Sequence, residues 1–420
     1  MREPRRQSLF RHADFMKLWS GQTVSQFGAQ VSLLAIPLAA VLVLHAGAEQ
    51  MGLLSAFEMA PFLVFGLFIG VYVDRVRRRP LLIAADIGRA VLMGLIPAAA
   101  AFHMLSIGLL YAVGFLAGGL TVLFDVAYQS YLPSLITRDA LIDGNSKLEI
   151  SRAMSQVSGK AIAGFLVQWL TAPGAVLANA LSYVVSVLSL LAIHSDEVPP
   201  ARVPGRRVVA DVREGLAIVL KHPLLRSIAF CTATSNFFGN MSFAVYVLFA
   251  VRQLGVSAAE LGLVYAAGSV GALAVAMATA SLGSRFGPGR VIVAGIFISS
   301  LGNVVVALAM RPPLLGLSML ILAQLLGAIG GTAYNITQVS LRQAIVPSRL
   351  LGRMNASMRF VVWGCIPLGA LAGGALGTAL GLRAALAVGA AGGLLSVLWV
   401  WFSPVRALNI QPTSVEEAFG

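Results

Sequence analysis

Three ionisable residues lie inside long apolar stretches of the sequence, where a charge is costly and usually serves a function. They are Glu58, Asp125 and Lys160. A carboxyl group in a low-dielectric environment is disfavoured as the anion, so Glu58 and Asp125 are candidates for taking up and releasing a proton. Lys160 lies at the same predicted depth as Asp125, which leaves two uses open. Either it forms a salt bridge with Asp125, or it binds an anionic group of a substrate.

Amide side chains form a second candidate group, and they recur at helical spacing within apolar stretches. These residues are Gln22, Gln26, Gln30, Asn236, Asn240, Asn335 and Gln338. The three glutamines follow one another at intervals of four residues and therefore share one face of a helix. Amide groups hydrogen-bond a polar solute as readily as they bond a neighbouring helix. Two interpretations follow, the lining of a substrate cavity and interhelical hydrogen bonding.

The sequence carries no arrangement of residues typical of an enzyme. Its five histidines are spread over the chain and its two cysteines fall in apolar stretches, so we expect neither a metal site nor a disulfide. A glycine-rich loop ending in Lys-Ser or Lys-Thr is absent, and nucleotide binding is not expected. We therefore predict no enzymatic activity and no cofactor. Any energy-dependent process would draw on an ion gradient or on the gradient of the substrate.

The composition places the chain in a membrane. Of its 420 residues, 58% are hydrophobic and 11% are charged, whereas a soluble domain carries about 25% charged residues. The formal net charge is +13, but the basic residues lie in short joints between apolar stretches. That distribution is the positive-inside pattern of a cytoplasmic membrane face. We therefore predict contacts with membrane lipid and no binding of nucleic acid.

Twelve apolar stretches are each long enough to cross a bilayer, which takes about 20 residues. We predict an all-α integral membrane protein with transmembrane helices at about 16–44, 51–73, 80–101, 106–132, 147–170, 175–193, 224–250, 258–282, 290–310, 314–340, 355–380 and 383–402. An even number of crossings puts both ends of the chain on one side. The arginines near the N-terminus predict that this side is the cytoplasm.

The two halves of the chain resemble each other at an offset near 210 residues, which aligns Gly52 with Gly262. This repeat predicts two pseudo-symmetric halves of six helices. The predicted segments are an N-terminal half at 1–194, a cytoplasmic linker at 195–222, a C-terminal half at 223–403 and a cytoplasmic tail at 404–420. Within the linker, residues 208–220 have the pattern of an amphipathic helix that lies on the membrane face.

A short basic stretch joins the second and third predicted helices. It reads Gly70-Val-Tyr-Val-Asp74-Arg75-Val-Arg77-Arg78-Arg79-Pro80-Leu-Leu82. This stretch resembles the loop between helices 2 and 3 of the major facilitator superfamily, G-x-L-a-D-R-x-G-R-[KR]-x-x-L, although Tyr72 and Arg77 replace the usual Leu and Gly. Its D-R-x-x-R-R form is similar to that of the twelve-helix drug and siderophore exporters. The resemblance implies that the matching residues form a gate on the cytoplasmic side. These residues are Gly70, Asp74, Arg75, Arg78 and Arg79.

The proposed gate has a physical basis. Gly70 permits a close approach of two helices. Asp74 can accept hydrogen bonds at the positive end of a helix or pair with an arginine. Such a contact holds the cytoplasmic side shut and breaks when the two halves of a transporter rock against each other.

The resemblance implies the fold of that superfamily, in which two six-helix halves enclose a substrate cavity at mid-membrane. One departure concerns the fifth helix. The stretch from Gly159 to Gly164 resembles the G-P-x-x-x-G element common in exporters, but Lys160 stands in place of the proline. Cys365-Ile-Pro367-Leu-Gly369 in helix 11 resembles its intact counterpart. The substitution weakens the exporter interpretation and adds an unusual cation to the first half.

Three functions are compatible with these features. The leading expectation is a monomeric transporter of the inner membrane that exports a small organic compound, such as a drug or siderophore, in exchange for protons. An uptake symporter or facilitator for a small anionic solute is the alternative, favoured by Lys160 and the basic surplus. A membrane protein without transport activity is the third, but the loop around Asp74 argues against it, because a static protein does not need a breakable contact.

Overall fold

In a computed structural model of the protein, the described residues are 9–66, 68–73, 75–137, 140–194 and 208–410, and they are helical almost throughout. The α-helices are α1 (Ala13–Leu42), α2 (Ala48–Phe65), α3 (Phe68–Val73), α4 (Arg78–Ala101), α5 (Ile107–Leu135), α6 (Leu141–Leu170), α7 (Ala172–Leu191), α8 (Val208–Lys221), α9 (Pro223–Phe249), α10 (Ala258–Phe286), α11 (Pro288–Leu308), α12 (Pro313–Ile345), α13 (Ser348–Ala379) and α14 (Leu382–Trp401).

The predicted all-α membrane fold is confirmed. Among the residues described, ten helices are long and apolar enough to cross a membrane. The other two predicted crossings fall on α2 with α3 and on α6. The α2 helix ends at Phe65, and the six-residue α3 continues the same predicted helix. The α6 helix begins with a charged half, which lowers its mean hydropathy. The structure is therefore consistent with a count of twelve.

The predicted helix bounds deviate most where a helix extends beyond its apolar stretch. The α6 helix begins at Leu141 and α13 begins at Ser348, each several residues before the predicted start. The added residues mix apolar with polar or charged ones, so hydropathy does not mark them, but they continue the helical hydrogen-bond ladder. Both extensions are amphipathic surfaces against which other parts of the protein pack.

Local sequence explains where several helices begin and end. Ser257 caps α10, because its hydroxyl accepts from the Glu260 N–H at 3.3 Å while the Glu260 carboxylate accepts from the Ser257 N–H at 2.7 Å. The tight turns after α10 and α13 use Gly287 and Gly381, which have φ angles of +84° and +90°. Side chains rarely adopt this conformation, so glycine is required at both turns.

Contacts divide the chain into two compact units. The first comprises Met1–Leu44 and Val64–Arg206, and the second comprises His45–Leu63 and Arg207–Gly420. The second unit thus takes in α2 as far as Leu63, which the sequence prediction placed in the N-terminal half, and α8, which it placed in the linker. The six-helix halves themselves stay a prediction.

The first unit packs α1, α4, α5, α6 and α7 around one hydrophobic core. Its largest buried side chains are Phe15, Leu82, Phe124, Tyr131 and Leu190. Polar contacts tie α1 to its neighbours on two sides. The Asn179 amide on α7 donates to Ser32 Oγ at 2.7 Å, and Thr23 Oγ1 donates to Ser151 Oγ on α6 at 3.0 Å. These bonds satisfy polar groups for which lipid offers no hydrogen-bond partner.

In the second unit, α2 meets α13 through two glycines. A Cβ atom at Gly52 would lie 2.7 Å from the Cα of Gly374 and 2.7 Å from the carbonyl oxygen of Ala370. The Glu49 N–H also donates to Thr378 Oγ1 at 3.0 Å. Small residues therefore bring the two helix backbones into direct contact, as is common within membranes.

The predicted amphipathic helix is present as α8 (Val208–Lys221). It packs against α13 and α9. Arg353 on α13 donates to the Glu214 carboxylate at 2.6 Å, and Val219 is buried in the core of the second unit. Between Gly215 and Val219 the helix therefore packs against protein, and a position on the membrane face stays a prediction.

Gly330 provides a sharp test of helix packing in the second unit. A Cβ atom at Gly330 would overlap the backbone nitrogen of Ser299 and the carbonyl oxygen of Gly295 on α11. Gly330→Ala is therefore expected to lower the free energy of unfolding by about 1–3 kcal/mol, the usual cost of overpacking. The measurement is the Tm of the purified protein in detergent. Gly327→Ala is the matched control on the same helix, because its Cβ would meet nothing within 4 Å. Equal Tm values for the two variants would contradict this packing.

Candidate functional site

The first unit contains a cavity of about 860 Å³ between α1, α5 and α6. A volume of this size accommodates a drug-sized molecule. Nine of its twelve lining residues have polar or charged side chains, namely Gln22, Gln26, Asp125, Tyr128, Gln129, Asn145, Ser146, Glu149 and Arg152. Polar groups between membrane helices offer a solute hydrogen-bond partners that lipid does not.

The three glutamines on one face of α1 lie in two different surroundings. Gln22 and Gln26 line the cavity, and the structure gives no hydrogen-bond partner for the Oε1 atom of either. Gln30 instead packs against α6, where a Cβ atom at Gly159 would lie 2.6 Å from the Cβ of Gln30. Gln22 and Gln26 therefore lie at the cavity, while Gly159 allows Gln30 to lie close to α6. A role of the three glutamines in binding substrate stays a prediction.

Charged groups stand on two walls of the cavity. Asp125 on α5 is exposed to it and lies within electrostatic range of Tyr128 and Arg152. Arg152 on α6 donates two hydrogen bonds to the Glu149 carboxylate, at 2.9 Å and 2.5 Å. Such a paired, bidentate contact fixes the guanidinium in one orientation. The charged residues that line the cavity are thus two acidic residues and one arginine.

Lys160 lies in the same unit, on α6, but is not among the residues that line the cavity. It follows Gly159 at the contact between α6 and α1. Arg152 on α6 is one charged neighbour of Asp125. A salt bridge between Asp125 and Lys160 stays a prediction, as does the binding of an anionic substrate by Lys160.

Glu58 lies on α2, which belongs to the second unit. Its side chain is half-buried, and within the described part of the chain the carboxylate has no hydrogen bond or ion pair. One turn further, Phe62 contacts Trp363 on α13 with ring centroids 5.8 Å apart. The Cζ atom of Arg359 lies over the same indole, 4.6 Å from the ring centroid. Glu58 therefore stands on an apolar helix beside an aromatic contact.

The candidate amides of the second unit bond to one another and to backbone. Asn236 donates to the carbonyl oxygen of Val362 at 2.9 Å, and Asn240 donates to the carbonyl oxygen of Asn236 at 2.8 Å. Gln338 donates to Asn335 Oδ1 at 3.0 Å. These contacts agree with interhelical and intrahelical bonding. Cavity lining by these four residues stays a prediction.

The basic loop between α3 and α4 is described in part. Asp74 lies outside the described residues, while Gly70 lies on α3 and Arg75 is exposed. Arg78 begins α4. Arg79 donates from Nε to the carbonyl oxygen of Leu190 and from Nη2 to that of Leu191, both at 3.0 Å. Arg79 therefore caps the C-terminus of α7, where a cation is favoured.

Sequence reasoning missed the α6 wall of the cavity. Glu149 and Arg152 lie three residues apart, a spacing that places both on one helix face. Gln129 follows Asp125 by one turn of α5 in the same way. These spacings were the available signal, but they lie in a stretch whose charges resemble a joint outside the membrane. Among the described residues, no group of three His, Cys, Asp or Glu side chains is placed to hold a metal ion.

The chain resembles known transporters over almost all of its length. The profile of the family described as transmembrane secretion effectors matches residues 6–418. The multidrug efflux pump Tap of Mycolicibacterium fortuitum is 28% identical over 361 residues, which covers 83% of this chain and 86% of that protein. An MFS-type transporter of Bacillus subtilis (strain 168), YfiS, is 25% identical over 225 residues, or 52% of each chain.

Solved structures share the fold at low sequence identity. A bacterial homologue of the iron transporter ferroportin, in its inward-facing state, superposes with a TM-score of 0.71 at 17% identity, covering 94% of this chain and 99% of that one. The nucleoside transporter NupG, as a D323A mutant, gives a TM-score of 0.71 at 12% identity, covering 92% and 99%. The chain therefore belongs to the transmembrane secretion effector family of the major facilitator superfamily and is a multi-pass membrane transporter, not an enzyme.

Proposed function

We propose that this protein exports a small organic compound in exchange for protons, by alternating access. The observation that carries the proposal is the polar cavity among α1, α5 and α6, because it sets carboxylates and amides inside a membrane protein at a size suited to one small molecule. Outward transport is supported by the relative from Mycolicibacterium fortuitum, which is a multidrug efflux pump. The fold alone does not set the direction, since iron and nucleoside transporters share it.

The chemistry of the cavity favours a neutral polar or cationic compound. Arg152 is engaged with Glu149, and the wall also carries the exposed carboxylate of Asp125. Gln22, Gln26 and the neighbouring amides hydrogen-bond a solute through both donors and acceptors. An amine or ammonium group fits this wall better than a carboxylate or phosphate does.

Two carboxyl groups are placed to carry protons. Asp125 stands in the cavity, where a bound substrate competes with a proton for it. Glu58 stands on an apolar helix, where the neutral form is favoured over the anion. We assign the basic loop from Gly70 to Arg79 to the cytoplasmic gate, with Arg79 anchoring it to α7. The protein then lies in the inner membrane, with α1 starting at the cytoplasmic face.

Transport by everted membrane vesicles tests this proposal. Vesicles from cells that produce the protein are compared with vesicles from cells that do not, using ethidium as a cationic probe and carboxyfluorescein as an anionic one. Energised vesicles are expected to accumulate ethidium, and an uncoupler is expected to abolish the accumulation. Uptake of carboxyfluorescein by intact cells, with no movement of ethidium in vesicles, would instead support an importer or facilitator of anions in which Lys160 binds the solute.

A further inference from the structure

A second pair of charges is buried in the first unit, away from the residues that line the cavity. Asp86 and Arg89 lie one turn apart on α4, with exposed fractions of 0% and 4%. Arg89 Nη2 donates to Asp86 Oδ1, so the two form an ion pair. Both residues lie within a helix long and apolar enough to span the membrane. Charges in that position are expensive and usually functional.

The pair reaches two further helices through the guanidinium. The Cζ atom of Arg89 lies 4.2 Å from the ring centroid of Phe124 on α5 and 4.4 Å from that of Tyr183 on α7. A guanidinium stacks on aromatic faces because it is planar and weakly hydrated, and a desolvated contact of this kind is a strong one. Arg89 therefore links α4 to α5 and α7.

Stability does not account for this ion pair. Ser186 on α7 hydrogen-bonds the Asp86 carboxylate, but the Oδ2 atom of Asp86 and the Nε atom of Arg89 are buried without a hydrogen-bond partner. A buried polar atom without a partner destabilises the folded state. Apolar residues of similar volume generally stabilise a buried position as well as an ion pair does, or better. The pair is thus a costly way to hold three helices together, which points to a role in activity.

The aromatic contact connects the pair to the cavity. The ring of Phe124 stacks on that of Tyr128, with centroids 5.8 Å apart and an angle of 16° between the planes. Tyr128 lines the cavity, and so do its neighbours Asp125 and Gln129 on the same helix. A continuous line of contacts therefore runs from Asp86 through Arg89 and Phe124 to the α5 wall of the cavity.

We propose that Asp86 and Arg89 are positioning residues that set, through Phe124, the orientation of the α5 wall of the substrate cavity. The ion pair holds the guanidinium flat between two rings, and the stack transmits this orientation to Tyr128. The consequence for transport rests on the proposed function of the cavity. The geometric part does not, and it can be measured in the absence of any substrate.

The test uses an introduced cysteine thiol to measure how exposed one position of the cavity wall is. In a background with alanine at Cys231 and Cys365, Gln129→Cys places a thiol on the α5 wall and Asn145→Cys places one on the α6 wall as a control. Labelling of the purified protein by a hydrophilic maleimide follows the exposure of each thiol. In the double variant Asp86→Leu/Arg89→Met, the rate at position 129 is expected to change by about threefold or more, with position 145 unchanged. The Tm is expected to be preserved or raised.

Arg89→Lys provides a second variant should the apolar double variant fail to fold. It keeps the charge next to Asp86 but loses the planar stack on Phe124, and it is expected to give the same change at position 129. Phe124→Tyr keeps the aromatic face and is expected to label at the original rate. Unchanged labelling at position 129 in both Arg89 variants overturns the proposal. Equal changes at positions 129 and 145 also overturn it, because the pair would then support the unit as a whole.

Transport assays separate this inference from the proposed function. If the protein exports ethidium, Arg89→Lys is expected to raise the KM about tenfold with little change in kcat, as for a misplaced binding wall. Phe124→Leu is expected to raise the KM by the same factor. The double variant Arg89→Lys/Phe124→Leu is expected to raise it no further, because both substitutions act through one contact. If no variant transports any probe, the proposed function fails while the labelling result still decides the positioning role.

Discussion

Replacing Asp125 with asparagine is expected to lower transport about tenfold or more, because a charge-assisted contact with a substrate contributes about 1.5–3 kcal/mol. Asparagine has nearly the same size, and the side chain of Asp125 is exposed to the cavity and not packed in the core. The variant should therefore insert and fold normally. Proton-driven accumulation of ethidium in everted vesicles is the measurement, normalised to the amount of protein in the membrane.

The control for this variant is the same chemical change at a carboxylate outside the cavity. Asp143→Asn removes an exposed ion pair with Lys147 on α6, and exposed pairs contribute little to stability. Transport by this variant should remain close to that of the unmodified protein. If Asp125→Asn also transports normally at equal abundance, the cavity of the first unit is not the substrate site.

The helices themselves could be predicted because the membrane imposes one simple rule on the sequence. Apolar stretches of sufficient length must be helical, since lipid offers no partner for backbone groups. Proline and glycine then mark the ends. The α11 helix, for example, begins at Pro288 directly after Gly287, close to its predicted start. The prediction worked wherever the apolar stretch and the helix coincide.

The cavity could be predicted only in part, for a physical reason. Gln22, Gln26 and Asp125 were recognisable because they interrupt apolar helices. Glu149 and Arg152 were not, because they lie in a charged stretch that resembles a joint in water. Hydropathy measures how polar a segment is, and it does not distinguish bulk water from a water-filled cavity inside the protein.

Contacts between distant parts of the chain had no local signal. Gln30 has the spacing of a cavity residue, but Gly159 on another helix allows it to pack against α6. The grouping of α2 with the second unit depends on Gly52 meeting Gly374, more than three hundred residues later. A glycine in a membrane helix permits a close contact, but the sequence does not indicate which other helix makes it. Such features require the three-dimensional arrangement.

Replacing Glu58 with glutamine is expected to abolish proton-driven export while leaving the energy-independent exchange of substrate intact. Glu58 lies ten residues after the start of α2, or about 15 Å along the helix. A carboxyl group on an apolar helix is favoured in its neutral form, so it can bind a proton on one side and release it on the other. Glutamine imitates the protonated group and cannot release it, which uncouples the proton from the substrate without blocking the movement of substrate.

The two activities are measured on one preparation, as ethidium accumulation driven by a proton gradient and as exchange of labelled ethidium without one. Glu49→Gln is the matched control, because this glutamate is exposed in the first turn of the same helix and both activities should survive its replacement. Loss of exchange together with export would show that Glu58 contacts the substrate or supports the fold. Unchanged export by Glu58→Gln would exclude Glu58 as the proton carrier and leave Asp125 as the carboxylate through which protons and substrate compete.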